Sequence, residues 1–112
     1  MIQKEKKKNL INKKIYKVAI QMDCPYELDK KTDSTFALIE EALKRNFKVF
    51  IYTVDELSLI ENKAFATGKN VLSIDIRKEN YINLTNKKKV KLSEFDFILV
   101  RQDPPFNMNY IT

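Results

Sequence analysis

Apolar and polar positions along the chain fall into a few distinct patterns. Val18-Ala19-Ile20-Gln21-Met22 is a continuous apolar run closed by Asp23-Cys24-Pro25, which suits a strand buried on both faces. Phe36, Ile39, Ala42 and Leu43 then recur at helical spacing, with Thr32, Asp33 and Ser34 as candidate N-caps before them. Glu40-Lys44 and Glu41-Arg45 stand four apart on the opposite face, and Asn46 fits a left-handed C-cap. Phe47 to Val54 is rich in β-branched and aromatic residues and predicts a second strand. Strand, helix, strand makes a βαβ unit, whose two strands should run parallel with a right-handed crossover. Phe97-Ile98-Leu99-Val100 predicts a third strand, again buried on both faces. Between these, Leu57 to Ile60, a turn at Asn62-Lys63, and the alternation Leu72, Ile74, Ile76 predict a β-hairpin or edge ribbon. Residues 77 to 94, with Lys87-Lys88-Lys89, read as a polar surface loop. The class is α/β, a mainly parallel sheet with a β-ribbon insertion.

Charge divides the chain in two. The net charge is +6, from 21 Lys+Arg against 15 Asp+Glu. Lys4, Lys6, Lys7, Lys8, Lys13, Lys14 and Lys17 against Glu5 place that whole excess in residues 1–17, leaving the remainder neutral. Residues 1–16 are therefore expected to be a basic tail, most simply a solvated arm. A basic tail can also bind nucleic acid through phosphate contacts, but no aromatic interleaves these lysines before Tyr16.

Composition then removes most self-contained chemistry. His is absent, so there is no His base, triad or metal ligand, and Cys24 stands alone, without a disulfide partner or thiolate zinc site. Gly68 is the single glycine, which excludes a Walker A loop and a G-x-G-x-x-G turn. No stretch has the length of a signal h-region or a membrane span, and a lone thiol suits a reducing cytoplasm.

The three strands all end near a polar residue: Asp23, Asp55 and Arg101. Ligands of open α/β sheets sit beyond the carboxyl ends of parallel strands. That nominates loops 23–35 and 101–107 as the walls of a site. Chains also commonly leave strands through polar residues, so the strand ends alone leave both readings open.

Met22-Asp23, Lys30-Lys31, Asp33-Ser34-Thr35-Phe36-Ala37-Leu38, Glu41-Ala42 and Arg45 are similar to the opening of prokaryotic glutathione synthetases. Leu59-Ile60, Ala64 and Ala66 resemble that family's β-ribbon, and Arg101-Gln102-Asp103-Pro104-Pro105-Phe106 resembles its R-x-D-P-P-F loop. The similarity runs in order from about residue 17 to residue 112. Departures are Cys24 where the family has proline, Asn46 where glycine is commoner, and the basic extension.

The resemblance implies a Rossmann-like (pre-ATP-grasp) domain over 17–112, cut before the ATP-grasp domain. It implies a cytoplasmic ligase, commonly a homo-oligomer, in which the ribbon at 57–76 is a candidate interface. In the full-length enzyme ATP, with Mg2+, phosphorylates the cysteinyl carboxylate of γ-glutamylcysteine, and the glycine amine then attacks it. The fragment alone is expected to be inactive and to bind neither ATP nor metal. Within it, Arg101 would pair with a substrate carboxylate, Asp103 would accept from an amino or amide group, and Asp23 or Ser34 would hydrogen-bond across the cleft. An internal Arg101–Asp103 ion pair and a helix-capping Ser34 are the structural alternatives. A free-standing nucleic-acid-binding module, or the first domain of another ATP-grasp carboxylate-amine ligase, are the competing functions.

Overall fold

A computed structural model describes residues 14–28 and 34–101. The described residues form seven strands and one α-helix. They are β1 (Lys17–Met22), α1 (Ser34–Lys44), β2 (Lys48–Tyr52), β3 (Leu57–Ile60), β4 (Lys63–Ile74), β5 (Ile82–Leu84), β6 (Lys88–Lys91) and β7 (Phe97–Arg101).

β1 pairs in parallel with β2 on one side and β7 on the other. The expected βαβ unit is present. The expectation of a mainly parallel sheet is corrected: every pairing made by β4, with β2, β3, β5 and β6, is antiparallel, so the sheet is mixed and curled. The reason lies in the length of β4. Its first half pairs with β3 and β6, its second with β2 and β5, so one 12-residue strand serves two sheet segments.

Gly68 marks the changeover. A Cβ there would lie 2.2 Å from the Ile51 carbonyl oxygen, 2.8 Å from Phe50 Cζ and 2.9 Å from Tyr52 Cβ. Only a residue without a side chain lets β4 cross β2 this closely.

The curl covers both faces of β1 and β2. On one face Val18, Ile20, Met22, Val49 and Ile51 pack under Phe36 and Ile39 of α1. On the other, Ala19, Phe50 and Tyr52 meet Ala66 and Leu92. Phe36 and Ile39, at 1% and 0% exposure, each contribute about 2–3 kcal/mol of apolar burial. Past the helix, Asn46 takes φ 64°, and the Phe47 N–H reaches the Ala42 carbonyl at 2.9 Å while Asn46 N–H reaches Leu43 at 2.9 Å. This is a Schellman closure with asparagine in the glycine position.

Three further expectations change. The hairpin turn sits one residue earlier than expected, at Glu61-Asn62, both with positive φ as a two-residue type I′ loop requires. Residues 77–94 are not simply a loop but contain β5, β6 and a 3-10 turn at Leu92–Glu94, because they supply the partners of β4. β7 is not buried on both faces: Phe97, Ile98 and Val100 are 48%, 46% and 65% exposed. Its only strand partner among the described residues is β1, which leaves it at the sheet edge.

At the other end of that edge, Asp96 fastens β7 to β1. Its carboxylate accepts from the Lys17 N–H at 2.8 Å and from Lys14 Nζ at 2.6 Å, and its own N–H donates to the Lys17 carbonyl at 2.8 Å. Tyr16 packs edge-on against Phe47 and at a tilt against Phe97, both with ring centroids 5.6 Å away. Residues 1–13, most of the basic tail, lie outside the described residues. No described helix is long and apolar enough to cross a membrane.

Candidate functional site

The parallel register decides what meets at the carboxyl end of the sheet. Met22 stands opposite Arg101, so the chain leaves β1 at Asp23 directly beside the point where it leaves β7. α1 returns over this edge, and Ser34, its first residue, presents its hydroxyl to Arg101. The Arg101 Nη2–H donates to Ser34 Oγ. Three of the four expected site residues are thereby gathered at one end: Arg101 and Ser34 in direct contact, Asp23 one position beyond Arg101's register partner. Asp103 lies outside the described residues, as do Thr32 and Asp33, so the capping role of Ser34 and the Arg101–Asp103 pair have no geometry here. Arg101 and Ser34 are both exposed.

The loop after β1 is held from the far side of the domain. Pro25–Glu27 forms a 3-10 turn, and the Tyr81 hydroxyl donates to the Pro25 carbonyl at 3.0 Å. Tyr81 also packs edge-on against Tyr26 and Phe36, with centroids 6.4 Å and 5.6 Å away. Burial, followed by the neighbouring Tyr26 and Cys24, pushes the Tyr81 phenol upward, so it stays a neutral donor.

Beyond β2 the chain turns at Val54–Glu56. There the Glu56 carboxylate accepts from the Thr53 N–H at 2.9 Å while the Glu56 N–H returns to the Thr53 carbonyl at 3.0 Å. Lys87 Nζ sits 2.9 Å from the other carboxylate oxygen. Burial pushes the Glu56 carboxyl upward, but the Thr53 amide, Lys87 and the Thr53 hydroxyl together hold it below the ordinary glutamate value. The pair joins the β5–β6 connection to the end of β2.

Between these two fastenings lies a cavity of about 400 Å3, whose lining includes Asp23, Cys24, Tyr52, Lys69, Leu84 and Lys87. Sequence reasoning found Asp23 here but not Tyr52, Lys69, Glu56 or Lys87. The polar stretch Thr67-Gly68-Lys69-Asn70 hides the middle of β4 from period-two reading. The lone glycine was the available signal, since glycine inside a strand marks a close backbone approach. Among the described residues no group of three or more Cys, Asp or Glu side chains is placed to hold a metal.

The residues forming this end of the sheet match a known domain. The family model of the prokaryotic glutathione synthetase N-terminal domain covers residues 16–112. This chain belongs to that family. Among curated relatives, the glutathione synthetase of Mesorhizobium japonicum is 44% identical over 96 residues, covering 86% of this chain and 30% of its own length. That of Agrobacterium fabrum is 42% identical over 99 residues, covering 88% and 31%. That of Buchnera aphidicola from Schizaphis graminum is 38% identical over 106 residues, covering 95% and 31%. The chain thus spans about 30% of the length of these relatives. The family model covers the βαβ unit, the ribbon and β7.

Proposed function

We propose that this chain is the N-terminal domain of a cytoplasmic, homo-oligomeric ATP-dependent ligase that joins glycine to γ-glutamylcysteine to make glutathione, and that its part is to hold the peptide. The observation that carries this reading is the family match over residues 16–112, together with relatives named glutathione synthetase at 38–44% identity. The folded domain on this reading begins at about residue 17, behind the basic tail.

Arg101 is the anchor. Its planar guanidinium can take a carboxylate through two parallel N–H bonds, and the contact with Ser34 fixes the plane of the fork at one corner. Asp23, beside it, is positioned to accept from an ammonium or amide N–H of the same ligand. Asp103, two residues past Arg101, is assigned the same kind of role, with Pro104 and Pro105 stiffening its loop. None of these residues needs to change protonation; they bind and orient.

In the complete enzyme, ATP with Mg2+ would supply the phosphoryl group that activates the carboxylate. The described residues do not fit either group: they offer no metal-holding cluster, and Gly68 is packed against β2 rather than set in a phosphate loop. That chemistry is assigned to the part of the relatives lying beyond this domain.

The test is glutathione formation from γ-glutamylcysteine, glycine and ATP by the complete gene product. Activity that falls in Arg101→Ala through the peptide substrate supports the reading. A complete product that forms no glutathione overturns it.

A further inference from the structure

The cavity beside Asp23 holds polar groups that the peptide-anchoring role of Arg101 does not use. Tyr52 is only 3% exposed, and its hydroxyl has no hydrogen-bond partner among the described residues. Yet the hydroxyl is not sealed off: among the described residues the one buried side-chain polar atom without access or partner is Ser58 Oγ. Tyr52 lines the cavity, so its remaining surface opens there. Lys69, half-buried on β4, has no ion-pair partner among the described residues, and neither has Asp55 at the cavity's rim. Met22, Ile51 and Leu84 supply apolar walls. By contrast the Glu56–Lys87 pair is satisfied and serves as a wall.

A hydroxyl whose free surface opens only into a cavity, with an unpaired cation among the same lining residues, suits an anion. An unpaired carboxylate lining the same cavity complements a cation. A ligand carrying both charges on one small head matches the chemistry of these lining groups, and the volume falls within the roughly 300–1,000 Å3 of small-ligand pockets.

We infer that this cavity binds the α-amino-acid zwitterion of a small ligand, its carboxylate taken by Lys69 and the Tyr52 hydroxyl and its ammonium by Asp55. Burial pushes the Tyr52 phenol upward, which keeps it a donor at neutral pH. Two sources carry this chemistry: a free amino acid, or the γ-glutamyl end of a peptide. The second rests on the function proposed above and would set the glutamyl head in this cavity while the rest of the peptide runs toward Arg101.

The experiment is calorimetric titration of the 112-residue chain with γ-glutamylcysteine, L-glutamate and N-acetyl-L-glutamate in separate arms. Saturable binding is expected for γ-glutamylcysteine, and comparable binding of L-glutamate would assign the site to free amino acids. N-acetyl-L-glutamate, which lacks the ammonium, should bind about tenfold more weakly than L-glutamate. Lys69→Met should weaken binding about tenfold or more and Tyr52→Phe about fivefold, with the fold confirmed by circular dichroism. Tyr52→Phe also separates roles: it should leave the melting temperature nearly unchanged, because the hydroxyl makes no hydrogen bond within the described domain. No saturable binding in any arm, equal binding of the acetylated compound, or wild-type affinity in both variants overturns the inference. If Arg101→Ala abolishes dipeptide binding while Lys69→Met and Tyr52→Phe do not, the cavity assignment fails and the proposed function stands. If the complete gene product makes no glutathione while the cavity variants still weaken glutamate binding, the proposed function fails alone.

Discussion

Arg101, the last residue of β7, donates from Nη2 to the hydroxyl of Ser34, the first residue of α1, across 67 positions of sequence. The contact ties the end of the edge strand to the start of α1. It exists because β7 lies against β1 in parallel register, which brings Arg101 level with Met22 and under the returning α1. A side chain at the open end of an edge strand is thereby oriented without being buried.

Arg101→Ala in the complete enzyme is expected to lower kcat/KM for γ-glutamylcysteine by about 2–4 kcal/mol while leaving the KM for ATP nearly unchanged. Arg101→Lys should recover only part of this, since a point charge cannot reproduce the fork. Steady-state kinetics with each substrate varied in turn is the check. A variant that unfolds more easily but uses the dipeptide normally would make Arg101 structural.

Gly68→Ala is expected to cost about 2–3 kcal/mol or to prevent folding. Its new Cβ would fall 2.2 Å from the Ile51 carbonyl oxygen, a backbone atom in the pairing between β2 and β4 that cannot swing aside. Urea denaturation followed by circular dichroism measures it. A change within a few tenths of a kcal/mol would show that β4 does not cross β2 as described.

Asn46→Gly is expected to stabilise the domain by about 0.5–1 kcal/mol. Asn46 occupies φ 64°, where a Cβ is a burden, and glycine keeps both closing hydrogen bonds because they use only backbone atoms. The same denaturation experiment reads the shift, and Asn46→Ala should move it in the opposite direction.

Acidification should weaken the domain through two carboxylates. Lys14 first and the Lys17 amide second hold Asp96 below the ordinary aspartate value. Glu56 is likewise lowered, its burial outweighed by Thr53 and Lys87. The folded state therefore binds these protons more weakly than the unfolded chain does. Their stabilisation is whole above the unfolded values and is lost as pH falls through the folded ones. Glu56→Gln should make stability less steeply dependent on pH within the carboxylate range, as seen in urea midpoints taken across that range. Parallel profiles for wild type and variant would remove Glu56 from this account.

The local patterns carried β1, α1 and β2, because both strands and the helix announce themselves within a few residues. Val18 to Met22 is continuously apolar, Phe36 and Ile39 repeat at helical spacing, and Asn46 closes the helix through its own backbone geometry. The R-x-D-P-P-F hexamer at 101–106 pointed to the family without any structure.

What the tertiary structure decided is pairing. Phe97 to Val100 is as apolar as β1, yet it stands at an edge, because burial depends on neighbours and not on composition. β4 reads as broken at Thr67 to Asn70, and only its antiparallel partners on both sides make it one strand. The same crossing lines Lys69 and Tyr52 along one cavity, though nothing in their sequence separation relates them. Period and capping act between residues a few positions apart, so sequence expresses them directly. Register across a sheet is settled by which distant segments exclude water together, and that is a property of the folded chain alone.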